Sequence, residues 1–509
     1  IEHVFEGLDE AGLVATISEA ARAENAAAAL RTSAIGELLR RRIPDPDPDP
    51  DDDVKKKWAC DSFTSIAAEV AAAMNISHGK ACGQLRIAES LRDHLPSVAA
   101  LHAAGTLSAR VVATITWRTR LIIDDDIWAR IDTALAQRAT TWGPMPDERL
   151  TAALDALIYA HDPAAVITTE QRMRSRDVTV GAREDEAGTV SIFGRLLSTD
   201  GALVEKRIAA IAATVCPNDP RTAGERRSEA LAAMAEGHDR LVCRCPDPTC
   251  PTRQGQTPSS PAVIWVIADQ PALTDATHTN TTTREATTDR ETNTTTQTTT
   301  TTATAEVRPT PRGTAVLADT GTPLPTPLLA DLLARGATVK PLLTPCDSAP
   351  EPRYRPSATL QAFVRSRDLT CRFPGCRVPA HRCDIDHVVP YPIGPTHPSN
   401  LGCFCRKHHL LKTFWADDWS VTLAPDGTMT WIAPTGHTHL THPGSRALFP
   451  NWNTTTAALS EPPTPTPSAP TRAQKMPLRQ QTRAAQRKTR IHAERKHNTT
   501  DPPFWSQNG

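Results

Sequence analysis

The chain has 509 residues, enough for two or three domains, and its 39% apolar and 4% aromatic content with 44 prolines predicts Ala- and Leu-rich helical cores joined by open linkers. Lys and Arg (56) nearly balance Asp and Glu (57), so the net charge of −1 indicates no class of partner. No stretch approaches the roughly 18 apolar residues that a membrane span needs, and no secretion signal opens the sequence, so we expect a cytoplasmic protein.

The first part of the chain carries a helical pattern in two blocks. Apolar residues recur every three or four positions over residues 10–42, and the Pro-Asp repeat at 44–50 predicts an extended spacer, because proline lacks an amide donor. The pattern resumes over residues 62–160, where Ser77 and Ser108 follow two breaks and are predicted helix N-caps. Each break joins two short helices, which is typical of an ordinary helical bundle and also of a helix-turn-helix that touches DNA.

The remaining sequence predicts short elements on either side of a long linker. Before the linker, the sequence predicts a hairpin from 178–180 and 190–193 with its turn at 184–188, helices at 202–213 and 225–235, and a strand at 263–267. After the linker, it predicts a helix at 328–335 that ends at Gly336. It also predicts a hairpin in which Val421, Leu423 and Trp431 flank an Asp426-Gly427 turn. Threonine fills 17 of the 28 positions from Thr277 to Thr304, a composition that buries almost nothing and predicts a disordered linker.

Basic charge is concentrated near the C-terminal end. Residues 353–382 hold seven Arg and one acid, and residues 472–497 hold nine Lys or Arg and one acid. A polyanion binder requires such clustering, although the stripe of Arg479, Arg483 and Arg487 is also typical of a solvated helix face or a disordered arm. The predicted segments are a mainly helical domain at 1–250, a Thr-rich linker at 251–320, a small α+β domain at 321–450 and a basic Pro/Thr-rich tail at 451–509.

Four residues of the third segment have the spacing of a structural zinc site. Cys371 and Cys376 bracket a Pro-Gly knuckle that can aim both sulfurs at one point, and Cys405 and His408 lie three positions apart, which places them on one face of a helix. Together they form a Cys3His set, a donor combination that suits tetrahedral zinc. The sequence therefore predicts a structural Zn²⁺ whose ligands close a loop of the chain.

Two ambiguities attach to this zinc prediction. Cys405 pairs by helical spacing with both His408 and His409, so on spacing alone either histidine can go to the zinc. Cys403 can compete with Cys405, although the Cys-x-x-His spacing favours Cys405, and Cys383 is interpreted as a core thiol.

Between the two ligand pairs lie Asp386-His387, then Asn400, and His409 follows the second pair. This nested order is that of the ββα-metal, or HNH, nucleases. A neutral imidazole such as that of His387 can take a proton from water, and a divalent ion such as Mg²⁺ held by Asp386 and His409 can neutralise charge on a phosphoryl group. Asn400 cannot ionise, and it either pins the loop that orients His387 or adds a carbonyl ligand.

Three cationic side chains near these residues are candidate nucleic-acid contacts. They are Arg372, Arg406 and Lys412. Exposed Lys and Arg on helices are commonly only solvating, so this prediction is the least specific of the set.

A second cysteine cluster comes earlier in the chain. Cys243, Cys245 and Cys250 fall within eight residues, with His238 nearby. The cluster suggests a further zinc site, but Cys-x-Cys is a cramped chelate and no clear fourth ligand follows. Spacing alone leaves a metal role and a set of reduced thiols both open.

The chain resembles an actinobacterial family of HNH endonucleases known as the 13E12-repeat proteins. The resemblance is specific over residues 350–445, which carry the strings Cys383-Asp-Ile-Asp-His-Val-Val-Pro390 and Cys405-Arg-Lys-His-His-Leu-Leu-Lys412, and looser over about 10–270. It implies a helical N-terminal domain of unknown function joined to a C-terminal HNH domain, and DNA as the substrate. The following assignments are also what the resemblance implies: the active site is Asp386, His387, Asn400 and His409, and the zinc ligands are Cys371, Cys376, Cys405 and His408.

We therefore expect a metal-dependent HNH endonuclease that nicks or cuts DNA, braced by structural zinc. The alternative is a zinc-braced DNA-binding or regulatory protein that has no catalytic activity. A third interpretation is a nuclease that acts on RNA, or a homing or toxin-like enzyme, and no feature of the sequence separates these.

Overall fold

The computed structural model describes residues 5–43, 52–139, 145–167, 177–181, 189–253, 265–278, 313–318, 323–334, 336–345, 349–415, 418–458 and 476–500. The helices are α1 (Glu10–Arg42), α2 (Asp52–Lys55), α3 (Ser62–Met74), α4 (His78–Asp93), α5 (Pro96–Ala103), α6 (Ala109–Arg118), α7 (Asp125–Ala139), α8 (Asp147–His161), α9 (Ser198–Ala212), α10 (Ala223–Ala235), α11 (Thr326–Ala334), α12 (Ala358–Asp368), α13 (Arg406–Phe414), α14 (Ser445–Leu448) and α15 (Arg483–Thr500). The strands are β1 (Val178–Val180), β2 (Ile192–Gly194), β3 (Val266–Ala268), β4 (Ala315–Leu317), β5 (Cys383–His387), β6 (Leu401–Cys405), β7 (Ser420–Leu423), β8 (Met429–Ile432) and β9 (Thr438–Thr441).

The chain divides into two compact units. The first comprises Ile1–Thr168, Ala268–Thr314 and Ala330–Gly509, and the second comprises Thr169–Ile267 and Ala315–Leu329. This division differs from the four segments predicted from the sequence, because the first helices and the C-terminal third belong to the same unit. The fold is mostly helical with a few small sheets, as predicted. Within the described ranges, no helix combines the length and the apolar character that crossing a membrane requires.

Four helices of the first 168 residues, α1, α3, α4 and α6, begin after a short polar side chain that caps them. Asp61 accepts a hydrogen bond from the Thr64 amide, and the predicted caps Ser77 and Ser108 do the same for amides three residues on, which confirms both predictions. The predicted helix over 10–42 is confirmed as α1. Leucine, isoleucine and alanine side chains of α3 to α8 fill two buried clusters. The Pro-Asp repeat at 44–50 lies outside the described residues.

The core of the C-terminal third includes side chains from the first helices. The Trp415 indole donates to the Cys60 carbonyl at 2.9 Å, and the Trp419 indole donates to the Ser65 hydroxyl at 3.2 Å. Trp58 lies edge-on to Trp415, with ring centroids 5.8 Å apart. One apolar cluster thus includes residues of α3 and residues of the strands β6 and β8. The sequence predicted separate helical and α+β domains, and within the described residues aromatic side chains of the C-terminal third share one apolar cluster with α3.

The C-terminal helix α15 packs on the first helices of the same unit. Its Arg483 pairs with Asp61 at 3.0 Å, and Arg495 pairs with Asp162 at 2.6 Å. Arg487 pairs with Glu89 at 2.8 Å. Over Arg483–Thr500 the predicted basic tail is therefore a helix, in which Arg483, Arg487 and Arg495 pair with acids of the same chain.

Around residue 400 the chain forms a strand–strand–helix unit. β5 and β6 are antiparallel, with Cys383 opposite Cys405 and His387 opposite Leu401, and α13 begins directly after β6. The predicted hairpin around Asp426-Gly427 is confirmed as β7 and β8, to which β9 adds a third strand. Gly427 has φ of +80°, a turn conformation that glycine adopts without strain.

The second unit contains a helix pair and short strands. The predicted strands at 178–180 and 190–193 pair as β1 and β2, while their predicted turn at 184–188 lies outside the described residues. Helices α9 and α10 occupy the two predicted helical ranges, and α10 begins with a capping box between Thr222 and Glu225. Of the predicted strand at 263–267, residues 263–264 lie outside the described residues, and residues 266–267 belong to β3, which pairs with β4. The Thr-rich prediction from residue 279 onward lies outside the described residues.

Candidate functional site

Cys371, Cys376, Cys405 and His408 converge on one point, and their ligand atoms all lie within 4.8 Å of one another. The His408 Nδ1 lies 3.5 Å from the Cys371 sulfur and 3.3 Å from the Cys405 sulfur, and the sulfurs of Cys376 and Cys405 are 4.0 Å apart. A tetrahedral zinc with Zn–S bonds of about 2.3 Å places two sulfurs about 3.8 Å apart and a sulfur and a nitrogen about 3.6 Å apart. The donor set could therefore hold one zinc ion.

Local backbone geometry sets up this cluster. Gly375 of the knuckle has φ of +69°, and a side chain there would come within 2.9 Å of the Ile76 carbonyl. Cys405 is the residue before α13, so His408 lies one turn inside the helix and points the same way. The Phe373 ring stacks on His408 at 4.0 Å between centroids. Burial raises the pKa of the Cys371 thiol, and a bound cation would favour its thiolate form.

The structure separates the residues that spacing left ambiguous. His408 faces the sulfurs, whereas His409 faces Asp384 and Asp386 on the other side of α13. The Cys403 thiol is buried and points at the Val364 carbonyl, and the Cys383 thiol points at the Pro379 carbonyl. Neither belongs to the cluster of four ligands.

A second group of side chains lies on the opposite face of β5 and α13. The His409 Nε2 lies 3.2 Å from an Asp386 oxygen, and the Lys412 ammonium lies 2.7 Å from the same oxygen. The His409 Nδ1 contacts Asp384 at 2.8 Å. Burial opposes ionisation of Asp386, but His409 and Lys412 outweigh it and hold the pKa of this carboxyl well below its usual range. Asp386 is therefore an ionised oxygen donor beside an imidazole.

His387 ends β5 next to this pair. Its Nε2 lies 2.8 Å from the Thr396 hydroxyl, which in turn donates to the Tyr354 carbonyl at 3.4 Å. Because that hydroxyl uses its hydrogen on Tyr354, it accepts from the Nε2–H of His387, and the lone pair then lies on Nδ1. The Tyr354 ring stacks on the imidazole at 5.3 Å between centroids. Burial lowers the pKa of His387, which keeps the ring neutral.

Asn400 spans the loop that follows His387. Its side-chain oxygen accepts from the Val389 amide at 2.8 Å, and its nitrogen donates to the carbonyls of Val389 and Pro395 at 2.9 and 3.0 Å. A side chain at Gly394 would come within 2.4 Å of the Asn400 nitrogen, so the loop needs glycine there. The amide therefore ties the two ends of the loop together.

The three predicted nucleic-acid contacts differ in exposure. The Arg406 side chain is 67% exposed and Lys412 is buried against Asp386. Arg372 is 2% exposed; its guanidinium pairs with Asp368 at 2.9 Å and donates to the carbonyls of Gly427 and Thr441. The prediction for Arg372 is corrected, because a buried guanidinium with these partners is part of the core and does not reach a ligand at the surface.

We expect Arg372→Met to destabilise the protein by about 3–5 kcal/mol, because it leaves the buried Asp368 carboxylate with one of its two arginines. Arg377→Met makes the same change at an exposed position and should alter the free energy of unfolding by less than about 0.5 kcal/mol. Denaturant unfolding in zinc-containing buffer measures both. Unchanged stability with weakened DNA binding in Arg372→Met would reinstate Arg372 as a contact.

Three residues of the site were missed by sequence reasoning. Asp384 lies two positions before Asp386, and strand alternation, which places both carboxylates on one face, was the available signal. Thr396 and Tyr354 contact His387 from a loop and from a distant segment. No spacing rule predicts those two contacts.

Comparison with known proteins places this chain among relatives of unassigned role. A family model described as "Domain of unknown function (DUF222)" matches residues 19–368, more than half of the chain. The chain belongs to the DUF222 family. The DUF222 match ends at Asp368, just before Cys371 and the two groups of side chains described above.

The chain is also similar to proteins of Mycobacterium tuberculosis over nearly its whole length. It is 47% identical to "Uncharacterized protein Rv3776" of strain H37Rv over 96% of this chain and 91% of that protein. It is 46% identical to "Uncharacterized protein Rv2100" of the same strain over 96% of this chain and 88% of that protein. No solved structure matches.

Proposed function

We propose that this DUF222 protein is a metal-dependent endonuclease of the HNH type that hydrolyses phosphodiester bonds in DNA. One observation carries the proposal: Asp386 and His409 face each other at 3.2 Å on a strand–strand–helix unit. His387 follows Asp386 at the end of β5, and Asn400 ties the loop that comes after it. The neighbouring Cys3His cluster supports it, because a zinc ion there would brace both strands and the helix.

His387 is the general base in this proposal. Its Nε2 is engaged by Thr396, so its Nδ1 is free to accept a proton from the attacking water. Burial keeps the imidazole neutral, and a neutral imidazole is the form that accepts a proton. The loop tied by Asn400 fixes the strand end from which His387 projects, which holds the imidazole in one orientation.

Asp386 and His409 are the residues that would hold a divalent ion. A carboxylate oxygen and an imidazole nitrogen that already face each other at 3.2 Å are donors that suit Mg²⁺, Mn²⁺ or a similar ion. When bound, such an ion stabilises negative charge on the phosphoryl oxygens and on the leaving 3′ oxygen. The exposed Arg406, one helical turn from His409, is placed to contact a neighbouring phosphate.

Asp384 is proposed as a positioning residue that orients His409. Its carboxylate accepts from Nδ1 and so leaves Nε2 directed at Asp386. We expect Asp384→Asn to raise the concentration of Mn²⁺ needed for half-maximal cleavage by about 10- to 100-fold, with the rate at saturating Mn²⁺ retained. Metal titrations of the initial cleavage rate measure this. A lower saturating rate with unchanged metal dependence would assign Asp384 a different role.

The proposal is tested by measuring cleavage and binding on the same preparation. Full-length protein is incubated with duplex DNA, single-stranded DNA and RNA of one sequence, with Mg²⁺, Mn²⁺ or Ni²⁺, and binding is measured at graded salt. Cleavage of DNA is expected. Salt-sensitive DNA binding without cleavage in any metal would favour a non-catalytic regulator, and cleavage confined to RNA would replace the substrate.

A further inference from the structure

The second unit brings four cysteines together at a place that the proposed nuclease site does not use. Cys216 follows helix α9, and Cys243, Cys245 and Cys250 lie in the segment after α10. Their four sulfurs lie within 4.8 Å of one another, and those of Cys216 and Cys243 are 3.4 Å apart. Cys216 is the fourth ligand that the sequence did not identify, because it precedes the cluster and no short spacing marks it.

The two chain segments are held together independently of the sulfurs. The Arg221 guanidinium donates to the Val242 carbonyl at 2.8 Å, and the Asp219 carboxylate accepts from the Arg244 amide at 2.9 Å. The Leu241 amide donates to the Thr214 hydroxyl at 2.9 Å. These bonds fix the backbone on both sides of Cys216 and of Cys243, so the thiols face one another in a preset arrangement.

The spacing of the sulfurs identifies the kind of ligand. Four sulfurs that bind one zinc ion at Zn–S distances of about 2.3 Å lie about 3.8 Å apart. The sulfurs of these cysteines are 3.4 Å apart for Cys216 and Cys243 and no more than 4.8 Å apart for any pair. Cys243, Cys245 and Cys250 are buried. Reactive thiols are commonly exposed to water, whereas buried thiolates need a bound cation to neutralise their charge. We propose that Cys216, Cys243, Cys245 and Cys250 bind a second zinc ion, separate from the Cys3His site.

The role of this ion is structural. All four coordinating positions are taken by sulfur, so no position remains for water or substrate. The buried apolar side chains around it are few, and the cysteines are themselves part of that cluster. Zinc would fix the end of α9 to the segment after α10, where apolar burial alone contributes little.

Metal content of the purified full chain tests the proposal. Wild type expressed with zinc and dialysed against buffer without chelator should contain two zinc ions per chain by elemental analysis. Cys245→Ser should contain one, and Cys82→Ser, a cysteine outside both clusters, should contain two. One zinc per chain in wild type, unchanged in Cys245→Ser, would overturn the proposal even if the variant folds poorly.

A second measurement separates zinc binding from oxidation. Because the sulfurs of Cys216 and Cys243 are close, a disulfide between them is the competing state. Mass spectrometry after alkylation without reductant should find all four thiols reduced, and addition of a chelator should release zinc and increase their rate of alkylation. A Cys216–Cys243 disulfide in protein purified under reducing conditions would overturn the proposal.

Discussion

His387→Ala is expected to lower the rate of metal-dependent DNA nicking by about 10²- to 10⁴-fold, the range that a positioned general base contributes. The variant loses the imidazole at the end of β5, whereas the contact between Asp386 and His409 is retained. Zinc content and DNA binding should therefore remain as in wild type. Initial rates of conversion of supercoiled plasmid to nicked circles, at saturating Mn²⁺, measure the effect.

His442→Ala is the matched control for that variant. It makes the same chemical change at an exposed histidine in the same unit, after β9. Its nicking rate should equal that of wild type. Equal rates for wild type and His387→Ala would mean that the base is another residue or that the activity comes from a contaminant.

Cys405→Ser is expected to remove one zinc ion and to lower the melting temperature of the first unit by about 10 °C or more. The binding of structural zinc contributes roughly 10–16 kcal/mol in small zinc-folded peptides, which is comparable to the whole stability of a domain. Cys405 joins β6 to α13 and faces both His408 and Cys376, so its loss separates the ligand set. Elemental analysis and thermal unfolding measure the two effects.

Cys383→Ser is the control for Cys405→Ser, because it removes a buried thiol that is not a predicted zinc ligand. Cys383 lies directly opposite Cys405 on the neighbouring strand, is also buried, and donates to backbone carbonyls that a serine hydroxyl can reach. It should retain wild-type zinc content. If Cys405→Ser and Cys383→Ser both have the zinc content of wild type, Cys405 is not a zinc ligand, and Cys403 becomes the residue to test.

Local chemistry explains which parts of the fold could be predicted from the sequence. Capping serines at 77 and 108, the Asp-Gly turn at 426 and the strand pattern at 178–193 act over a few residues, and the predicted elements are found there. The four ligands of the Cys3His cluster were also predicted, because short spacings within each pair fix their relative placement.

Contacts between distant segments explain what the sequence did not predict. Trp415 bonds to Cys60 and Trp419 to Ser65 of α3 across more than three hundred residues, so no periodicity of the sequence predicts these contacts. The same holds for Cys216, which reaches the later cysteines through hydrogen bonds at Asp219 and Arg221. Arg372 was predicted as a nucleic-acid contact because it lies near the site residues in the sequence, and this position does not reveal its burial beside Asp368.

The most direct test of the central claim is a time course of supercoiled plasmid with wild-type protein, with Mn²⁺ and with excess chelator. The proposal predicts nicked circles that accumulate only with the metal and whose new ends carry a 5′-phosphate and a 3′-hydroxyl, since the 3′ oxygen is the leaving group. Intact plasmid in the presence of Mn²⁺, from protein that carries zinc and still shifts DNA, would contradict it.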